Sequence, residues 1–294
     1  MTVLTRHARV NRGTRAQAQA PSIKLKVLSV GTDAKTVKGS KYKVCTAILY
    51  LAPASEAGRG NLCPHASAGC RAACLFTAGR GKFANVRTAR INKTLRWFDD
   101  RRQFLADIVR DIAKLEKYCK RHGLTPAVRL NGTSDIPWEN VILPDEGCSL
   151  MDLFPRVKFY DYTKSKARAI KAASGKLPAN YSLCFSRSED NQKDCARVLR
   201  AGGNVSVVYS ASAFAEFAWD NKGQSVPVWK IHNGGKLDGV RYQEQQIAAL
   251  GSVRTVRVFN GDLSDVRFYD PKGVVVALKA KGDARGDSSG FVVN

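Results

Sequence analysis

Apolar residues along this chain fall into short runs of β-formers, separated by stretches whose apolar positions recur at helical spacing. The runs predict strands at 44–51, 126–130, 157–160, 181–185, 205–209, 226–231, 255–259 and 274–280, with a brief edge strand in 24–30. Between them the spacing predicts helices over 82–122, 149–154, 165–173, 191–200, 213–219 and 243–250. In the first of these, Phe104, Leu105, Ile108, Val109, Ile112 and Leu115 share one face. Asp100 with Gln103 resembles a capping box, so a second helix begins there, and Gly123 closes it. Alternating strands and helices imply parallel strands joined by crossovers. About six or seven such units, with no glycine-rich phosphate loop after the first, predict an α/β fold. A partial or closed parallel β/α barrel of the TIM type fits better than a doubly wound sheet.

Composition refines the domain picture. The chain has 294 residues, and 24–282 read as a single barrel-like domain. Residues 1–23 read as a disordered basic arm, and the Gly/Ser/Asp-rich 283–294 as a flexible tail. The net charge is +23, from 48 basic and 25 acidic residues. Residues 1–43 hold ten Lys/Arg and one acid, and residues 71–122 hold fourteen against five. Two such stretches suit a polyanion, so nucleic acid is a candidate partner. No apolar run is long enough for a membrane span, and no membrane partner is expected.

The cysteines change the picture most. Cys63, Cys70 and Cys74 lie in one loop after the first central strand, spaced C-x6-C-x3-C. Thiolate is the soft ligand preferred by iron–sulfur clusters and zinc. Two chemistries compete. One is a [4Fe–4S] cluster on the three thiolates, with one iron open to a small-molecule ligand. The other is zinc on the same cysteines with His65, in a hydrolytic enzyme. Softness and spacing favour the cluster, because zinc ligands usually come as two spaced pairs. Cys184 is a weaker fourth ligand than core residue. Cys45, Cys119, Cys148 and Cys195 read as packed thiols. The remaining candidates sit just after strands, where β/α barrels build their sites: Asn131, Asp135, Asp161, Ser186, Arg187 and Lys279 for a cofactor or ligand. Trp97, Trp138, Trp219 and Trp229 read as core, and His122 and His232 as non-ligands.

Several segments carry a family resemblance. They are 63–74 (CPHASAGCRAAC), 129–139 (RLNGTSDIPWE), 159–164 (FYDYTK), 184–189 (CFSRSE) and 267–273 (RFYDPKG). Together they resemble the gene-product-88 family of bacteriophage proteins over about residues 25–285. The resemblance implies a phage origin and the host cytoplasm, and it adds no reaction. More distantly, a three-cysteine loop after the first strand of a barrel is similar to the radical SAM enzymes. Those carry C-x3-C-x2-C and bind S-adenosylmethionine at the open iron. Here both gaps differ, and no residue for that cosubstrate is carried over. The expectation is a cytosolic iron–sulfur protein supporting redox or radical chemistry. A nucleic-acid-binding protein with a structural metal and a zinc hydrolase are the alternatives.

Overall fold

The fold was analysed in a computed structural model, which describes residues 23–31, 39–215, 217, 228–231 and 254–294. The strands are β1 (Ser29–Val30), β2 (Val44–Ile48), β3 (Thr125–Arg129), β4 (Lys158–Thr163), β5 (Tyr181–Ser186), β6 (Asn204–Tyr209), β7 (Val228–Ile231), β8 (Arg254–Asn260) and β9 (Val275–Lys279). The helices are α1 (Ala68–Ala72), α2 (Ala84–Asp99), α3 (Arg101–Arg121), α4 (Leu150–Leu153), α5 (Lys166–Ala173), α6 (Gln192–Arg200) and α7 (Ala211–Ala215). All nine strands join one sheet, in the order β1-β2-β3-β4-β5-β6-β9-β8-β7. Strands β2 to β6, β9 and β8 are parallel, while β1 and β7 add antiparallel edges. The α/β character matches expectation, as does the parallel succession from β2 to β6; beyond β6 the order runs β9-β8-β7. Closure does not match it: among the described residues the ladders end at β1 and β7 without meeting.

The central strands are largely buried because both sheet faces are covered, with polar residues mostly at their ends. Cys45, Ala47, Val128 and Phe159 pack with Phe104, Leu105, Ile108, Ile112 and Leu115 of α3, together with Trp97 and Trp138. Their neighbours Val44, Ala127 and Tyr160 point the other way, against Val266 and Phe268. On that second face Arg129 pairs with Asp265 at 3.0 Å and Arg267 with Asp270 at 3.1 Å, both pairs buried. Trp97 and Trp138 are core, as expected, with ring centroids 5.0 Å apart. Trp219, His232, the helix expected at 243–250 and the arm over 1–22 lie outside the described residues, as does the side chain of Trp229.

Three expectations change. The edge strand forms only at residues 29–30. The backbone N–H groups of Lys26, Val27 and Leu28 instead donate to the Asp111 carboxylate, at 2.9, 2.7 and 3.0 Å. The helix break at Asp100 is present without the capping box, because the Gln103 amide reaches Asp107. A capping box does form at Ser149 and Asp152, ahead of α4. Residues 283–294 do not hang free. Phe291, Val292 and Val293 are buried, Val293 bridges Tyr209 beside β6, and its N–H donates to Val208 O at 2.9 Å. Their apolar side chains outweigh the glycine-rich composition that suggested mobility.

The basic stripe over residues 82–122 is partly consumed inside the fold. Lys26, Arg96 and Arg110 converge on the buried Asp107. Burial opposes ionisation of that carboxyl, but the three cations hold it well below the usual carboxylate range. Arg101 lies over Trp97, Arg102 pairs with Asp145, and Lys93 donates to Val27 O. Among the described residues no helix is long and apolar enough to cross a membrane.

Candidate metal centre

Because the central strands are parallel, the segments leaving β2, β3, β4, β5 and β9 emerge at the same edge of the sheet. The loop carrying Cys63, Cys70 and Cys74 leaves β2 and crosses that edge. Near β3, Cys63 Sγ lies 3.8 Å from Thr133 O. Beyond β5, Glu189 holds the middle of the loop. Its carboxylate accepts from Ser67 Oγ and from the Gly69 N–H, both at 2.8 Å. Ser67 in turn caps α1, accepting from the Cys70 N–H at 3.1 Å. Beyond β9, Ala73 packs with Ala280, Ala284, Phe291 and Val292, and Cys70 rests on that cluster. The segment read as a loose tail is thus one wall of the cysteine loop.

Gly69 shows how tight this seat is. A Cβ there would stand 2.3 Å from Ser289 Oγ and 2.8 Å from Glu189 Oε2. Gly69→Ala is expected to push α1 off Glu189 and displace Cys70. Thiol alkylation of Cys70 should speed up several-fold while the thermal midpoint falls only modestly; an unchanged alkylation rate would show that the seat is not tight. Gly132, after β3, is similarly confined, with a Cβ position 2.6 Å from the Tyr50 ring and 2.7 Å from Leu49 O.

The three thiols are half-buried and act electrostatically on one another. Burial pushes Cys63 up to about 12 and raises Cys70 and Cys74. Lys164 opposes the rise at Cys70, and Arg90 opposes it at Cys74. Among the described residues no three Cys, His, Asp or Glu side chains gather closely enough to hold one metal ion. His65 is exposed. Cys184 is buried with Val274 and Val276, as a core thiol.

The other expected site residues divide into groups. Asp135 joins the loop to β4: its N–H donates to Leu62 O, and its carboxylate accepts from the Lys164 N–H at 2.9 Å and Arg168 Nη1 at 2.6 Å. Ser186 accepts from Lys164 Nζ at 3.1 Å. Arg187 donates through Nη1 to Gly290 O and Phe291 O, each at 2.8 Å, and so pins the C-terminal wall. Its Nε and Nη2 are buried with no hydrogen-bond partner among the described residues. Asn131 and Asp161 lie deeper and serve each other. The Asn131 N–H donates to Asp161 at 2.8 Å, and Asn131 Oδ1 accepts from Ser134, Ile136 and Trp138. Burial pushes the Asp161 carboxyl up to about 7, against donors that include the Tyr181 hydroxyl at 3.1 Å. Lys279 stands apart, over the Phe214 ring.

Sequence reasoning missed Ser67 and the residue 287–292 wall. The serine three positions before Cys70 was a legible capping signal; the wall depends on long-range packing and left none. No curated protein and no solved structure matches the chain. A family model described as Gene product 88 matches residues 24–294, from the segment leading into β1 through the whole sheet, the cysteine loop and its C-terminal wall. The chain therefore belongs to the Gene product 88 family.

Proposed function

We propose that this protein is an iron–sulfur protein in which Cys63, Cys70 and Cys74 hold a [4Fe–4S] cluster at the C-terminal edge of a partial β/α barrel. The observation that carries this reading is the seating of all three thiols on one half-buried loop across the ends of parallel strands, where such folds build their sites. The donor chemistry fits, since three soft thiolates are what a cluster requires. Three protein ligands leave one iron open, and the bound cluster would supply redox or radical chemistry there.

The chain's own residues have definite parts in this reading. Glu189 and Ser67 orient Cys70, Asp135 ties the loop to β4, and Arg187 secures the wall. Asn131 and Asp161 shape the floor beneath, and Lys279 lies outside this group. S-adenosylmethionine is the cosubstrate that the radical SAM resemblance would add; nothing in the residue set selects it.

The test is competition between iron with sulfide and zinc for apo-protein under anaerobic conditions. Iron and sulfide should be retained through gel filtration in preference to zinc. Because burial raises the thiols, at neutral pH they hold their protons and must release them to bind. Uptake should therefore strengthen as pH rises from about 6 to 9. Stoichiometric zinc with no retained iron or sulfide would overturn the reading, and uptake independent of pH would remove its thiolate basis.

A further inference from the structure

From residue 57 to residue 98 the chain carries Arg59, Arg71, Arg80, Lys82, Arg87, Arg90, Lys93 and Arg96, and no acid. Five of these are engaged within the fold. Arg59 pairs with Asp99, Arg87 with Glu56 and Arg96 with Asp107. Arg90 lies over Tyr50 and Phe76, and Lys93 donates to Val27 O. Arg71, Arg80 and Lys82 are exposed and form no ion pair among the described residues, although Arg71 also donates through Nη1 to Ala66 O at 2.9 Å. Arg80 and Lys82 lie on the short turn Gly79–Lys82, which with Leu75–Thr77 follows directly on Cys74 as a lip beside the cysteine loop.

The same lip exposes two large apolar side chains, Leu75 at 50 % and Phe83 at 61 %. Phe83 is the N-cap of the sixteen-residue α2, which has no side-chain cap and no acid in its first turn. The positive end of that helix is exposed at Ala84 and Asn85 beside these cations, with the Val86 N–H taken by Asn85 Oδ1. Cations, a helix N-terminus and an exposed ring on one short stretch match a ligand with repeated phosphates and accessible flat bases. A lipid surface would engage the cations but needs a broader apolar face than one ring and one leucine.

We propose that this lip binds single-stranded nucleic acid, with Arg71, Arg80, Lys82 and the start of α2 on phosphates and Phe83 stacked on a base. Arg80, Lys82 and Phe83 lie beyond the cysteine triplet, so the assignment stands whether or not the cysteines bind metal. The test is fluorescence anisotropy of the full chain with a labelled oligothymidylate of about 20 nucleotides, long enough to span a typical single-strand site. Wild type should bind at low salt. The double variant R80E/K82E should weaken binding at least tenfold and flatten the dependence of log K on log salt by about 1.4, for two lost phosphate contacts on a single strand. F83A should weaken binding by about five- to a hundredfold, from the usual worth of one stacked base, while F83W restores it. All these positions are exposed, so the thermal midpoints should match wild type. Variants that bind like wild type would overturn the assignment, since the other basic segments would then carry the binding. Wild-type binding to phosphatidylserine vesicles but not to the oligonucleotide would overturn it too.

Discussion

Replacing Cys63, Cys70 or Cys74 singly by Ala is expected to abolish retained iron and sulfide in reconstituted protein, whereas Cys148→Ala leaves both at the wild-type level. In the proposed site each thiolate would be one of three protein ligands, and two would not hold a cluster against chelation. Cys148 is the fitting control because it is also half-buried but lies in the turn before α4, away from the loop. Loss of metal should not reflect loss of fold. The loop is held by groups other than its thiols: Ser67, Gly69 and Glu189 in the middle, and Ala73 against Ala280, Ala284, Phe291 and Val292 at the end. Each Cys→Ala change should therefore cost the apo-protein no more than about 1 kcal/mol, the ordinary range for a small half-buried side chain. Metal content preserved in any of the three variants would remove that cysteine from the ligand set.

Arg168→Ala is expected to be the most damaging single change for the fold around the site, at about 3–5 kcal/mol, the usual cost of stripping one partner from a buried ion pair. Arg168 forks onto Glu139 through Nε at 2.7 Å and Nη2 at 2.8 Å, and reaches Asp135 through Nη1 at 2.6 Å. It also donates to the Tyr181 hydroxyl at 3.1 Å. All three charged side chains are at least nine-tenths buried. Without the guanidinium, Glu139 would lose its ion-pair partner and Asp135 would be left with only Lys164 nearby. Lysine cannot reproduce the fork, so Arg168→Lys should recover only part of the loss. Asp135 also holds the Lys164 N–H and, through its own N–H, Leu62 O next to Cys63. The site should loosen along with the fold, and the released loop should lose iron and sulfide faster to a chelator. Urea unfolding measures the first effect. A loss below about 1 kcal/mol would mean that this network is solvated like an ordinary surface pair.

Both tests bear on what the sequence alone could reveal. The strand–helix alternation was legible because parallel strands buried on two faces are mostly apolar, as 44–48, broken only by Thr46, and 275–278 are. The cysteine triplet was legible as chemistry, and its position after the first central strand was enough to bring it to the C-terminal edge. Other features depended on partners distant in the chain. Residues 26–28 look like a strand, but Asp111, more than eighty positions away, takes their N–H groups. The last residues look like a mobile tail, but Arg187 accepts no such freedom: it grips Gly290 and Phe291 by their carbonyls. The charge of 82–122 looked like a surface stripe, and much of it is turned onto Asp107, Asp145 and aromatic rings. What remains exposed divides between the lip after Cys74, with Lys82, and the last turns of α3, with Lys114, Lys117, Lys120 and Arg121. Composition counts charges, while only packing shows which of them are already spent.

The central claim is that three cysteines hold a cluster. It is tested most directly by the ultraviolet–visible spectrum, with iron and acid-labile sulfide analysis, of wild-type protein reconstituted and kept anaerobically. The account predicts a coloured protein with broad sulfide-to-iron absorption that bleaches on reduction, and about four iron and four sulfide per chain. A colourless protein without iron or sulfide, from preparations whose thermal unfolding shows them to be folded, would contradict it.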